Sequence, residues 1–296
     1  MRYRLIFVLL SVVLWLGCYD EDPIVPTSEP EFKYTLPQGA HDYDQNIVEW
    51  FDRCGFYILY KFEPKDVYFN GTDWDEAVLN SNTNTYSGNI TVVPAEEAYV
   101  GKQLALVEDL FFQFYADTML QRCMPMKLLL CSSVKVWPVS TEQLNVYSGF
   151  DNLAVNWGCQ EVEAFSKAAK TSFKNDVNTA FLERLLDRKM IGISEEFTKV
   201  STYGGYVDGY SMYEQGFLKE GQVDAEYDWK EYIAAVVQYS YDYLRAEPDA
   251  YEDKPTMKGI LHPNKDVHGL IREKYAILIA YFKNEYNIDL QAIGNK

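Results

Sequence analysis

Asn175, Asp176 and Thr179 stand at the spacing N-D-x-x-T inside the stretch Lys170 to Arg188, KTSFKNDVNTAFLERLLDR. Around them Phe173, Val177, Ala180, Phe181 and Leu185 recur at i, i+4, i+7, i+8 and i+12, the one-sided stripe of an amphipathic helix. Residues four apart on a helix project the same way. Histidines at 175 and 179 could therefore grip one metal ion while an acid at 176 activated a water molecule. Asparagine and threonine cannot take over as zinc ligands. The geometry of a metal helix is present and its chemistry is missing.

Other residues able to do chemistry are scattered. Asp228 and Glu231 sit in a later D-W-K-E, where they could supply acidic ligands or simply suit a helix N-terminus. The chain has three histidines: His41, His262 and His268. The last two flank Pro263 and Asn264 at a spacing unlike a helical or finger pair of metal ligands. No nucleophile elbow, phosphate loop or dinucleotide fingerprint occurs. With 44 acids, a carboxylate pair assembled in three dimensions stays open. Residues 201–217, STYGGYVDGYSMYEQGF, form a glycine- and tyrosine-rich loop, in which Tyr203, Tyr206, Tyr210, Tyr213 and Phe217 could stack on a ligand or pack the loop down.

The elements that must position these groups follow from periodicity. Asp42 to Arg53 predicts a first helix, Phe56 to Phe62 a strand, and residues 70–91 an irregular connection. Pro94 to Cys123 predicts one long helix, ended by Pro125. Met126 to Val136 and Phe150 to Trp157 predict strands. Gln160 to Arg188 holds the central helix with a lead-in, Asp228 to Arg245 a further helix, and Val267 to Tyr286 the last. The order gives an α+β fold without internal repeats.

Composition limits the function classes. The 296 residues are 48% hydrophobic and 16% aromatic, enough for a sizeable core. The net charge of −17 argues against nucleic acid, whose affinity comes chiefly from Lys and Arg neutralising phosphates. At the N-terminus, Arg2 and Arg4 precede an apolar run from Leu5 to Leu16 and then Gly17-Cys18. That run is too short to cross a bilayer and reads as a signal peptide over 1–17, with Cys18 as a lipidation site. Its removal would take the charge to −19, because Arg2 and Arg4 leave with it. Residues 18–40 read as an acidic, Pro-rich tether and 41–296 as one domain. Cys54, Cys123, Cys131 and Cys159 match no zinc cluster and read as buried free thiols, one disulfide being the alternative.

The acidic run Tyr19-Asp20-Glu21-Asp22 after Cys18 resembles the export signal of surface lipoproteins in glycan-foraging gut bacteria. With YILYKF, MPMKLLLCSS, FDNLAVNW before the central helix, and D-W-K-E after it, the chain resembles zinc-binding metallopeptidase-like lipoproteins associated with TonB-dependent nutrient import. The resemblance spans about Asp42 to Tyr243. It implies a zincin-like α+β architecture with a small mixed sheet packed on the central helix and a mainly helical C-terminal half. It places the two histidine positions at Asn175 and Thr179, the glutamate position at Asp176, and the downstream acidic ligand region at Asp228 and Glu231. The chain is then a degenerate member that needs no cofactor, zinc included. It implies an outer-membrane, surface-exposed lipoprotein, held to the membrane through its lipid only, that binds glycan or peptide for an importer. An active hydrolase, using atypical zinc ligands or a carboxylate pair, and a structural partner of the importer are the alternatives.

Overall fold

The computed structural model describes residues 34–68, 79–80, 85–86, 90–136, 142–250 and 255–296. The expected signal peptide, Cys18, the tether up to residue 33 and most of the 70–91 connection lie outside these. Leu36 to Lys296 form one compact unit.

Helix α1 (Asp42–Cys54) leads into strand β1 (Tyr57–Leu59) and the short α2 (Pro64–Val67). Two short strands, β2 (Leu79–Asn80) and β3 (Thr85–Tyr86), pair with each other. Then come β4 (Ile90–Pro94), α3 (Val100–Leu110), a 3-10 turn (Phe112–Phe114), α4 (Asp117–Cys123), β5 (Lys127–Val136), β6 (Val146–Ser148) and β7 (Asn152–Val155). A 3-10 turn (Gln160–Ala164) precedes the central helix α5 (Lys167–Asp187), followed by α6 (Glu195–Val200), the paired β8 (Tyr206–Val207) and β9 (Gly221–Gln222), α7 (Ala225–Gln238), α8 (Tyr241–Arg245), α9 (Leu270–Tyr286) and α10 (Leu290–Asn295).

The sheet is built on β5. Its first half pairs in parallel with β1 (Tyr57 opposite Lys127) and with β7 (Lys127 opposite Asn152). Its second half pairs antiparallel with β4 (Ile90 opposite Val136), and β6 runs antiparallel along β7 at the end of the row. Leu128 to Leu130 and Leu153 to Val155 are fully buried, as expected of parallel strands covered on both faces. The fold is α+β, as the element order predicts, with the small mixed sheet that the resemblance implies.

Helix α5 forms as its sequence dictates. Ser166 caps it by accepting from the Ala169 N–H, and Lys189 in the left-handed region (φ 55°) ends it. Phe173, Val177, Phe181 and Leu185 of the stripe are buried, while Ala180 is half-buried. Asn178, which no stripe marks, is buried within it. Its amide donates to the Leu110 and Lys174 carbonyls at 2.9 and 2.7 Å, and its oxygen accepts from the Tyr115 hydroxyl at 2.9 Å. It thereby satisfies the carbonyl at the end of α3.

Three expected helices differ in outline. The single helix over Pro94–Cys123 breaks at Phe111. Phe112 packs on Trp50 at 4.4 Å between ring centroids, whereas Phe111 and Tyr115 pack on Phe181 at 5.1 and 5.0 Å. One continuous face cannot send neighbouring rings both ways, so burial overrides helical continuity. The helix expected over Asp228–Arg245 starts earlier and breaks at Tyr239, where Ser240 caps α8 and α10 packs across the end of α7. Gly294 is required there: a Cβ would collide with the Val236 and Tyr239 carbonyls. The last long helix begins at Leu270 rather than Val267.

Candidate functional site

Helix α5 lies against β6, α7 and α10. Its N-terminal half floors a cavity of about 680 Å³ lined by Lys167, Thr171, Ser172, Asn175, Asp176 and, from α7, Gln238. A second cavity of about 500 Å³ adjoins it through Ser172 and is walled by Trp157, Phe165, Asn145 and Glu161. Together they form a cleft between α5 and the segment that enters β6.

Asn175 and Thr179 lie one turn apart, as their spacing predicts. The Asn175 Oδ1 and Thr179 Oγ1 atoms are buried without a hydrogen-bond partner in the protein. Asp176 is exposed, and its Oδ2 accepts from Asn145 Nδ2 at 2.6 Å. The same amide donates to Ser172 Oγ at 3.0 Å, and Asn145 Oδ1 accepts from the Trp157 indole N–H at 2.6 Å. The carboxylate that the resemblance sets at the position of a catalytic base is thus hydrogen-bonded to the opposite wall of the cleft.

Asp228 and Glu231 divide between two roles. Asp228 is buried, 2.6 Å from Lys274 Nζ and 2.8 Å from the Tyr203 hydroxyl. Lys274 also donates to the Gly216 carbonyl at 2.9 Å and lies 4.4 Å from the Phe217 ring centroid. Burial pushes the Asp228 carboxyl up against the opposing pull of Lys274, and it pushes the Lys274 ammonium down. Asp228 therefore pins the tyrosine loop to α7 and α9, and it is not a free ligand. Glu231 stays half-buried, 3.8 Å from Lys219.

Glu183, one further turn along from Thr179, was not singled out by its sequence. Burial raises its carboxyl pKa; Lys230 opposes this, and the nearby Asp187 and Glu231 reinforce it. The signal available was the extension N-D-x-x-T-x-x-x-E along one face. Asn145 and Trp157 carried no such signal, because their partners on α5 are distant in sequence.

The tyrosine loop is mostly packed rather than displayed. Phe217 is 1% exposed, which removes it as a ligand contact. Tyr203 stacks edge-on against Phe217 at 5.5 Å, and Tyr213 donates its hydroxyl to the Thr256 carbonyl at 2.9 Å. Tyr206 and Tyr210 are exposed, Tyr210 completely. Tyr210 and Tyr213 edge a groove of about 990 Å³ with Tyr239 and Tyr243, whose rings stack 5.0 Å apart. At the end of α7, Gln238 faces the α5 cavity and Tyr239 this groove.

Cys54, Cys123, Cys131 and Cys159 are buried and unpaired. Burial pushes their thiols upward, Cys159 to about 11. They are poor nucleophiles.

A mixed sheet laid against one long helix, with a cleft over that helix, defines a metallopeptidase-like α+β architecture. The chain belongs to the family described as "Putative zinc-binding metallo-peptidase", which matches residues 76–291. No curated protein matches it. Its fold is similar to the crystal structure of a putative zinc-binding metallo-peptidase from Bacteroides caccae. The identity is 14% and the TM-score 0.50, over 86% of this chain and 91% of that one.

The α5 residues that the resemblance sets at a metal site do not fit zinc. Zinc takes imidazole, thiolate or carboxylate. Here an amide and a hydroxyl stand on α5, and Asp228 is committed to Lys274. Among the described residues no three His, Cys, Asp or Glu side chains converge to hold a metal.

Proposed function

We propose that this protein is a surface-anchored accessory lipoprotein, which uses a catalytically degenerate metallopeptidase-like fold to bind glycan or peptide for a nutrient importer. The donor set on α5 carries the reading. Asn175 and Thr179 replace nitrogen ligands, so Asp176, hydrogen-bonded across the cleft by Asn145, stands beside an amide and a hydroxyl instead of beside ligands that would hold a metal to acidify its water. Family membership supports the scaffold, since a fold can persist while its site changes. Lipid anchoring through Cys18, an outer-membrane location exposed at the cell surface, and a TonB-dependent importer as partner rest on the N-terminal sequence and the resemblance. Among the described residues no helix is long and apolar enough to cross a membrane.

The test is metal analysis of the purified chain beside binding to a panel of glycans and peptides. Substoichiometric zinc with saturable binding is expected. Stoichiometric zinc, or peptide cleavage lost with chelator, would overturn the reading. The triple replacement Asn175→His, Asp176→Glu and Thr179→His should create zinc affinity. A folded triple variant that ignores zinc would count against this placement of the metal helix.

One observation favours a second reading, a metal-free hydrolase working through paired acids. Burial pushes the Glu183 carboxyl pKa up, and the Asp187 and Glu231 carboxylates add to this against Lys230, an environment of the kind that sets an acid apart from a base. Hydrolysis of any panel member that disappears in Glu183→Gln would favour it over the binding role.

A further inference from the structure

Trp157 is a bulky residue in the left-handed region, with φ at 81°. Side chains of this size rarely adopt that conformation, and where they do the surroundings must impose it. The surroundings here are specific. The Trp157 N–H donates to Asn156 Oδ1 at 2.7 Å, and its indole N–H donates to Asn145 Oδ1 at 2.6 Å. Asn156, fully buried, donates to Gln143 Oε1 at 2.9 Å and to the Leu144 carbonyl at 2.8 Å. Gln103, also fully buried, spans the Cys131, Val155 and Asn156 carbonyls at 3.1, 2.9 and 2.8 Å. Gly158 lets the chain pass this network, because a Cβ there would lie 2.5 Å from Ala95 Cβ. A buried polar frame at the middle of β5 and the end of β7 thus holds one half-exposed indole at the 500 Å³ cavity.

We propose that Trp157 is the stacking platform of a binding site for a neutral saccharide. The inference deepens the binding role proposed above and rests on it. The volume is that of a small-ligand site. Phe165 packs against the indole with ring centroids 5.4 Å apart and the planes inclined by 68°, which holds the indole plane in place beside the cavity. Around it stand amides and hydroxyls, Gln143, Asn145, Ser166 and Ser172, with one carboxylate, Glu161. A pyranose offers that combination in mirror form: an apolar C–H face for the ring and hydroxyls for the rim. The Cys159 thiol holds the Glu161 carboxyl below its ordinary range, so it stays charged and accepts hydroxyl donors while repelling acidic ligands. Among the described residues, the walls carry no branched aliphatic side chain that would hold an apolar peptide side chain.

The test is titration of the whole chain with maltohexaose, laminarihexaose and xylohexaose. Hexagalacturonate and a Lys-Phe-containing hexapeptide serve as competitors, read by calorimetry and tryptophan emission. At least one neutral hexasaccharide should bind, and Trp157→Gly should weaken it by about tenfold or more, the loss of one aromatic stacking contact. Glycine accepts φ 81°, so this variant should fold. Ala169→Leu, which fills the same cavity from a helical position, should weaken binding without touching Trp157. Binding unchanged in both variants, no binding by any neutral hexasaccharide, or preference for the peptide would overturn the proposal. Zinc in the purified chain would instead overturn the non-hydrolytic reading and leave the stacking result standing.

Discussion

Asn145 Nδ2 lies 2.6 Å from Asp176 Oδ2, while Asn145 Oδ1 receives the Trp157 indole N–H at the same distance. One amide therefore joins the central helix to the opposite wall of the cleft and fixes the orientation of both partners. Each atom of the amide is used, which makes the residue difficult to replace.

Asn145→Ala should cost about 1–3 kcal/mol, the loss of hydrogen bonds to a charged group and to the indole. For a domain of this size each kcal/mol lowers the melting temperature by about 2–4 °C. Urea unfolding of the two proteins measures the difference. Asn145→Asp should be worse, since a second carboxylate would face Asp176.

Thr179→Val should stabilise the chain by about 1 kcal/mol. The hydroxyl is buried without a protein partner, and removing an unsatisfied polar group while keeping the side-chain shape recovers part of its desolvation cost. A lower unfolding midpoint in the variant would mean that Oγ1 makes a contact with solvent worth keeping.

Lys174 gives a pH signature. Its Nζ donates to the Ile293 carbonyl at 2.6 Å from a buried position on α5, and burial lowers its pKa to about 8. With the folded value depressed, the contribution to stability is full above the unfolded value and is lost as pH falls through about 8. Wild type should therefore gain stability relative to Lys174→Met between about pH 8 and pH 10.5, and the two curves should run parallel below that window. Chemical denaturation at stepped pH resolves it.

Glu183 has the opposite sign. Its folded pKa is raised, so its contribution is full below the unfolded carboxyl value of about 4.3 and is lost as pH rises through the folded one. Glu183→Gln should raise the unfolding midpoint at pH 7, and the advantage should vanish below about pH 4. An advantage that persists in acid would place its origin in packing rather than charge.

Local patterns carried much of the architecture. The stripe through Phe173, Val177, Phe181 and Leu185 marked α5 to within three residues of its start, and the apolar runs marked β1, β5 and β7. The three-residue strand β6 went unmarked, because Val146 to Ser148 is too short to establish an alternation. The break at Phe111 was also unmarked. It depends on which neighbours Phe111 and Phe112 find, and those neighbours are Phe181 and Trp50.

The sequence by itself determined that residues 175 and 179 share a helical face and that neither is a histidine, because spacing and residue type are local properties. Tertiary structure alone decided which acids remain free. Asp176 meets Asn145 across 31 residues and Asp228 meets Lys274 across 46, separations that periodicity cannot register. Two carboxylates that read alike in the chain are thereby given different work. One is held at the open cleft by an amide, and the other is buried by a lysine that pins the tyrosine loop. Their environments differ because burial and partner charge are properties of the packed chain.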